Sequence, residues 1–176
     1  MAKRRLEFTE KKLKTTGYLK EYDQVFSEWQ SENIIERVPD VELNIQSHYL
    51  PHRPVIKDTN STTKIRPVFD ASAKEKNQPS LNDCLEKGVN LIEQIPDLLL
   101  NFRKEKIGVT SDIKKAFLQI SVHRNDRDFL RFLWKSEDGK EIVFRHRRVV
   151  FGVNSSPFLL GATINFHLNR LLTCKD

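Results

Sequence analysis

The sequence predicts an α+β fold of antiparallel hairpins with flanking helices, and three observations carry that prediction. Tyr18, Tyr22, Val25, Phe26 and Trp29 recur at i, i+4, i+7, i+8 and i+11, the spacing of one helix face. Two pairs of extended stretches, 49–57 with 64–70 and 129–134 with 141–150, are each folded back by a polar turn. The order of elements, helix, hairpin, helices, Asp-bearing strand, second hairpin, glycine turn and helix, suggests hairpins projecting as one basic lobe beside a carboxylate-bearing lobe, with no internal repeat or low-complexity tract.

With 176 residues the chain is long enough for one domain with its own core, or for parts of two subdomains sharing one. A net charge of +6 favours a polyanionic partner such as nucleic acid, although solvated lysines account for the same number. No run approaches a membrane span, and Met1-Ala2-Lys3-Arg4-Arg5 is not followed by an apolar signal core, so an intracellular protein without a membrane partner is expected. Cys84 and Cys174 are far apart, which suggests reduced thiols. The histidines at 48, 52, 123, 146 and 167 lack metal-ligand spacing with either cysteine, so no zinc site is expected.

Taken in order, residues Leu6 to Lys14 mix acids and bases around Leu6, Phe8 and Leu13, a marginal helix with a wet basic side. The aromatic stripe follows and should be core; its periodicity stops near Asn33, and Val38-Pro39-Asp40 marks a break. Tyr49 to Lys57 is extended and tolerates Pro51 and Pro54, so part of it should be edge strand or polyproline II. The run Asp58 to Thr63 turns it back into Lys64 to Asp70, and the resulting hairpin carries Lys57, Lys64 and Arg66 near one end. Those cations either hold a phosphate or sit in water. Ser80 is placed to cap a short helix containing Leu81, Cys84 and Leu85 and ended by Gly88, and Pro96 to start another bearing Leu98, Leu99 and Phe102.

The segment 107–122 is the organising stretch. Alternation across Ile107, Val109 and Ser111 predicts a strand with Asp112 at its C-terminal end, then a turn at Lys114 and Lys115 that brings Phe117 back beside the carboxylate. Two readings stay open: a small site built from an anion and a ring, or a buried strand with an Asp capping its end. Asp126 and Asp128 fall in a charged turn and read as solvated. The second hairpin turns through Ser136-Glu137-Asp138-Gly139-Lys140, and its returning strand concentrates Arg145, His146, Arg147 and Arg148, some of which should face a nucleic acid. After the turn at Gly152, Ser156 is placed to cap and Pro157 to begin a final helix striped by Leu160, Ile164, Leu168 and Leu171, whose N-terminus is suited to phosphate.

Four segments, in order, resemble the reverse transcriptase of BEL/Pao-type LTR retrotransposons. Tyr49-Leu50-Pro51-His52-Arg53-Pro54-Val55 is similar to YLPHHPV, and Thr63 to Lys74 to TKxRVVFDASAK. Thr110 to Ile120 is similar to TADIxxMFLQI, polymerase motif A, and Phe151 to Phe158 to FGLxSSPF, motif B. Ser80-Leu81-Asn82-Asp83 and Asp126 to Trp134 match as well, and the coverage is essentially 48–166.

The resemblance implies a right-hand polymerase, fingers and partial palm, divided as an N-terminal helical segment 1–47, a fingers hairpin 48–80, a palm segment 81–122 with motif A, a second fingers hairpin 123–152 and the motif B helix 153–176. It implies RNA-directed DNA synthesis, nucleotidyl transfer to a primer 3′-hydroxyl by two Mg²⁺ ions, with an RNA or DNA template, a primer and a dNTP as partners. The setting implied is a cytoplasmic retroelement particle or the nucleus. Asp112 and the backbone of Ile113 correspond to metal ligands and Phe117 to the aromatic gate under the sugar. Lys64, Arg66 and Gly152 correspond to nucleotide-binding positions, with Lys57, Arg145, Arg147 and Arg148 on nucleic acid.

The chain departs from the family pattern at Pro67, which replaces a strand residue and is expected to disturb the hairpin, and at Ala116, where the family has methionine. It contains no YxDD hairpin, thumb or RNase H segment, so the remainder of the polymerase is an expected partner and the fragment alone is expected to be inactive. The motif A strand should have an unpaired edge and the last helix a bare side. The alternative is a non-catalytic nucleic-acid-binding module derived from a retroelement.

Overall fold

The aromatic stripe forms helix α2 (Leu19–Ser31) and lies on a small sheet, with Tyr22 and Phe26 buried. The computed structural model describes residues 1–56, 64–89, 95–136 and 138–173. Helix α1 (Ala2–Thr16) precedes α2 and is more than marginal: Leu6, Thr9 and Leu13 are buried along one side, while its basic side is exposed as expected. Gly17 ends it at φ +77, a left-handed cap that satisfies carbonyls of the last turn.

Strand β1 (Ile35–Arg37), which the sequence pattern does not reveal, pairs antiparallel with β5 (Glu141–His146), and β5 pairs with β4 (Arg131–Lys135). A separate hairpin joins β2 (His52–Ile56) to β3 (Ile65–Phe69). The fold is therefore mixed α+β with small antiparallel sheets, and both expected hairpins are present. The turn 57–63, which includes Lys57, lies outside the described residues, as do Glu137, Cys174 and the side chain of Leu171.

The two hairpins share one core instead of projecting as a separate basic lobe. Phe132, Trp134, Phe144 and His146 occupy one face of the β1-β5-β4 sheet; the first three pack against Phe26 and His146 against Phe132 and Phe69, with Phe132 and Phe144 rings stacked at 5.6 Å. His52 joins the hairpin to this sheet. A backbone carbonyl only accepts, so His52 Nε2 donates to Leu133 O at 2.9 Å and Nδ1 accepts from Tyr22 OH at 2.8 Å. Thr9 Oγ1 donates to the His52 carbonyl at 2.8 Å and fixes α1 against β2.

Pro67 does not disturb the hairpin. Asp70 N donates to Pro51 O at 2.9 Å, so 51 and 70 are a hydrogen-bonded pair and the pairs alternate from there. Pro54 and Pro67, opposite each other, then form a non-hydrogen-bonded pair where neither missing N–H is needed by the ladder.

The other face of the three-stranded sheet corrects two expectations. Arg131 and Arg145 are cross-strand neighbours and both buried, an unfavourable arrangement of like charges unless an anion separates them. Asp128 is that anion: its Oδ1 accepts from Arg131 Nε at 2.8 Å and from Arg145 Nη1 at 3.0 Å. Glu36 and Glu42 complete the set at 2.7 and 2.5 Å from Arg145. Asp128 is thus buried and not solvated, while Asp126 is exposed. Arg145 faces the protein instead of a nucleic acid, because β1 and the turn at Asp40–Glu42 bring carboxylates from a distant part of the chain. Burial opposes the charge on Arg145, but Glu36, Asp128 and Glu42 outweigh it and raise its pKa. Burial likewise pushes Asp128 up, and Arg145 and Arg131 hold it below the usual carboxylate range.

The strand expected at 107–112 is absent. The segment is irregular and exposed, with Ile107 and Val109 more than four-fifths accessible. Among the described residues no strand lies beside it, and an extended segment without a partner makes no ladder. It passes over the end of helix α3 (Ile95–Phe102), where the Phe102 ring lies close against Gly108. The short helix expected after Ser80 is a single 3₁₀ turn, Asn82–Cys84, in which Ser80 and Asp83 cap each other reciprocally. The last helix, α4 (Ser156–Thr173), starts where expected, but Ser156 Oγ donates to Val150 O at 2.6 Å instead of capping. Its outer residues Phe166 and Leu168 are exposed. Among the described residues no helix is long and apolar enough to cross a membrane.

Candidate functional site

Three sequence segments converge beside the base of the β2-β3 hairpin. Residues 120–122 run antiparallel to 147–149, with Val149 N donating to Ile120 O and Val122 N to Arg147 O, both at 2.9 Å. This pairing feeds directly into the Gly152 turn. Gly152 has φ +101, and a Cβ there would stand 2.7 Å from the Phe69 carbonyl oxygen, so only glycine allows the turn to close against the end of β3.

Asn82 fastens that closure. Its buried side chain donates to Gly152 O at 3.2 Å and Ser72 Oγ at 2.9 Å, and accepts from Asn154 N at 2.9 Å. Sequence reasoning matched Asn82 within a motif without assigning it a role; the signal was a polar amide in a stretch otherwise suited to capping. Nearby, the Ser80 amide and hydroxyl, with Lys74, depress the Asp83 pKa to about 2.

Phe117 sits in a 3₁₀ turn, Ala116–Gln119, entered through Lys115 at φ +54. Lys115 is tied to Glu32 at 2.6 Å, which fixes the entry. The Phe117 ring meets Phe151 edge-on with centroids 5.6 Å apart, next to Gly152. Phe117 is half-buried, and Phe151 is exposed, so the pair presents a flat apolar wall at an open surface.

Arg66 is on the outer face of the hairpin. His52, Pro54, Ile65 and Phe69 turn to the core, which leaves Arg53, Val55, Arg66 and Val68 on the opposite side. Lys64 and Arg66 are exposed and have no ion pair among the described residues. Lys57 lies outside them. Arg147 reaches Asn33 Oδ1 at 3.1 Å and Glu36 at 3.6 Å, and Arg148 donates to Ser121 Oγ at 2.6 Å. Both are half-buried and bound locally, so neither projects freely toward a ligand.

Asp112 and Ile113 are exposed, five and four residues ahead of Phe117 on the irregular segment. Among the described residues no group of three His, Cys, Asp or Glu side chains could hold a metal ion. One carboxylate and one carbonyl do not displace the water around Mg²⁺, so these residues by themselves do not make the two-ion site that the resemblance implies. The structure brings together Phe117, Gly152 and the foot of the Arg66 hairpin. No protein-family model matches the chain, and no curated protein does.

Proposed function

We propose that residues 48–166 form the fingers and the first palm segment of a BEL/Pao-type reverse transcriptase. The outer face of β2-β3, the Phe117–Phe151 wall and the Gly152 turn would receive a deoxynucleotide and its template. The observation that supports this best is the Asn82 clamp. It joins two motif-bearing stretches, 69–83 and 150–156, far apart in sequence, and presses Gly152 onto the strand that carries Arg66.

In this reading Arg66 and Lys64 supply charge for the triphosphate, an anion matched by donors that no acid among the described residues occupies. Phe117 lies under the sugar, where its ring would crowd a 2′-hydroxyl. Asp112 is one ligand of a pair of Mg²⁺ ions, and the other carboxylates belong to a YxDD hairpin not contained in these 176 residues. A second reading, a nucleic-acid-binding module without catalysis, is favoured by the exposed, isolated position of Asp112.

Primer extension on poly(rA)·oligo(dT) separates the two. The polypeptide continued through a palm bearing YxDD should extend the primer with Mg²⁺, Asp112→Asn should abolish extension, and Phe117→Val should admit ribonucleotides. Full activity in Asp112→Asn removes Asp112 from the metal site, and unchanged sugar selectivity in Phe117→Val removes the gate.

A further inference from the structure

A groove of about 510 Å³ runs between α1 and β2. Arg4, Phe8 and Lys12 follow one another at i, i+4 and i+8 along the exposed face of α1, so a cation, a ring and a cation stand in a row beside it. Arg53 closes the opposite wall from the outer face of β2. Of the cations lining the groove, Arg5 is engaged by Asp70 at 2.8 Å, whereas Arg4, Lys12 and Arg53 have no acid partner among the described residues. The Phe8 ring is 74% exposed. Neither the helix register nor the core uses that ring.

We infer that this groove is a binding site for single-stranded nucleic acid, a site additional to the nucleotide site and independent of whether the chain polymerises. Unpaired charges in a row attract a phosphate backbone, and an exposed ring between them offers a stacking face to an unpaired base. A duplex keeps its base faces covered and would leave the ring unused. An acidic peptide would satisfy the cations but has no flat partner for Phe8. The groove also continues onto a charged surface, since Arg53 and Arg66 are diagonal neighbours on the same face of the hairpin. A strand seated along α1 would therefore be led toward Arg66.

The test is fluorescence anisotropy with a labelled twelve-nucleotide oligo(dT) and the whole chain at low and moderate KCl. Phe8→Ala should bind roughly 5–100-fold more weakly, and Phe8→Trp should restore binding. Replacing Arg4, Lys12 and Arg53 together by glutamine should weaken binding and flatten the salt slope by about two to three units, more than Arg66→Gln does. Ultraviolet crosslinking of a bromodeoxyuridine oligonucleotide to the unaltered protein should label the peptide spanning residues 4–12. Unchanged affinity in Phe8→Ala, crosslinks confined to the hairpin, or a blunt duplex binding as tightly as the single strand would each overturn the inference. So would equal displacement by an oligoglutamate peptide, or Phe8-dependent binding to phosphatidylserine vesicles.

Discussion

Mild acid should destabilise this protein before its carboxylates are protonated, and His52 and His146 set the size of the effect. Both imidazoles are buried in the aromatic core. Burial depresses the His52 pKa to about 4, against a smaller opposing contribution from its bond to Leu133. Burial, reinforced by His52, depresses His146 to about 3. Neither ring nitrogen of His146 has a hydrogen-bond partner among the described residues; the ring meets Phe69 edge-on with centroids 4.5 Å apart. The unfolded chain binds these two protons near pH 6.5 and the folded one does not, so stability is complete above that pH and falls as the pH drops through it. At pH 5 the loss is about 2 kcal/mol for each histidine, about 4 kcal/mol together, against a typical total of about 5–15 kcal/mol. Asp128, held ionised by its arginines, fails only at lower pH, so the two effects separate. Urea midpoints followed by tryptophan fluorescence at pH 7.5, 6.5, 5.5 and 5.0 measure the slope. His146→Phe should roughly halve it, and His52→Gln, which keeps a donor for Leu133 O, should do the same. A midpoint unchanged from pH 7.5 to 5.0, or a full slope in both variants, would refute the assignment of the buried pair.

Gly152→Ala should lower stability by about 1–3 kcal/mol through strain at positive φ and the clash with Phe69 O, read as a shift in urea midpoint; a neutral result would mean the turn can open. Asp128→Ala leaves two buried arginines sharing less negative charge and should cost about 3–5 kcal/mol in the same assay, whereas Asp126→Ala should leave the midpoint unchanged. Tyr22→Phe removes the donor to His52 Nδ1 and should cost about 1 kcal/mol, with a rise in the His52 pKa measurable by NMR titration as its ring loses nothing that favoured the neutral form except that bond.

What the sequence made legible was local. The stripe from Tyr18 to Trp29 needs only helical spacing, the second hairpin needs only its Asp-Gly turn, and α3 begins beside Pro96 for the reason Pro favours a first turn. Arg145 was misread because its partners Glu36 and Glu42 are about a hundred residues away, and nothing in a basic strand announces a buried acid opposite it. Asp128 reads as a turn residue because its partners, Arg131 and Arg145, face it only once β4 and β5 pair. The segment around Asp112 has the alternation of a strand, but alternation states which residues share a face; it does not supply the neighbouring strand that a ladder requires. His52 sits in a motif whose resemblance drew attention to function, yet its two bonds make it the joint between the hairpin and the sheet.

Some of the residues proposed to bind ligand carry no structural load, which makes their role testable apart from stability. The core draws buried residues from α1, α2 and both hairpins, and the Asn82 clamp adjoins it. Arg66, Asp112 and the Phe8 ring are exposed and carry none of that load. Surface substitutions away from packed or buried polar groups usually change stability by less than about 0.5 kcal/mol. A change in ligand binding at these three positions is therefore interpretable as a change in the site, whereas the same loss in a variant of Gly152, Asn82 or His52 is not. Phe117 lies between the two regimes. Its ring is half-buried against Phe151, so Phe117→Val must be accompanied by its own urea midpoint before any altered sugar selectivity is assigned to the gate.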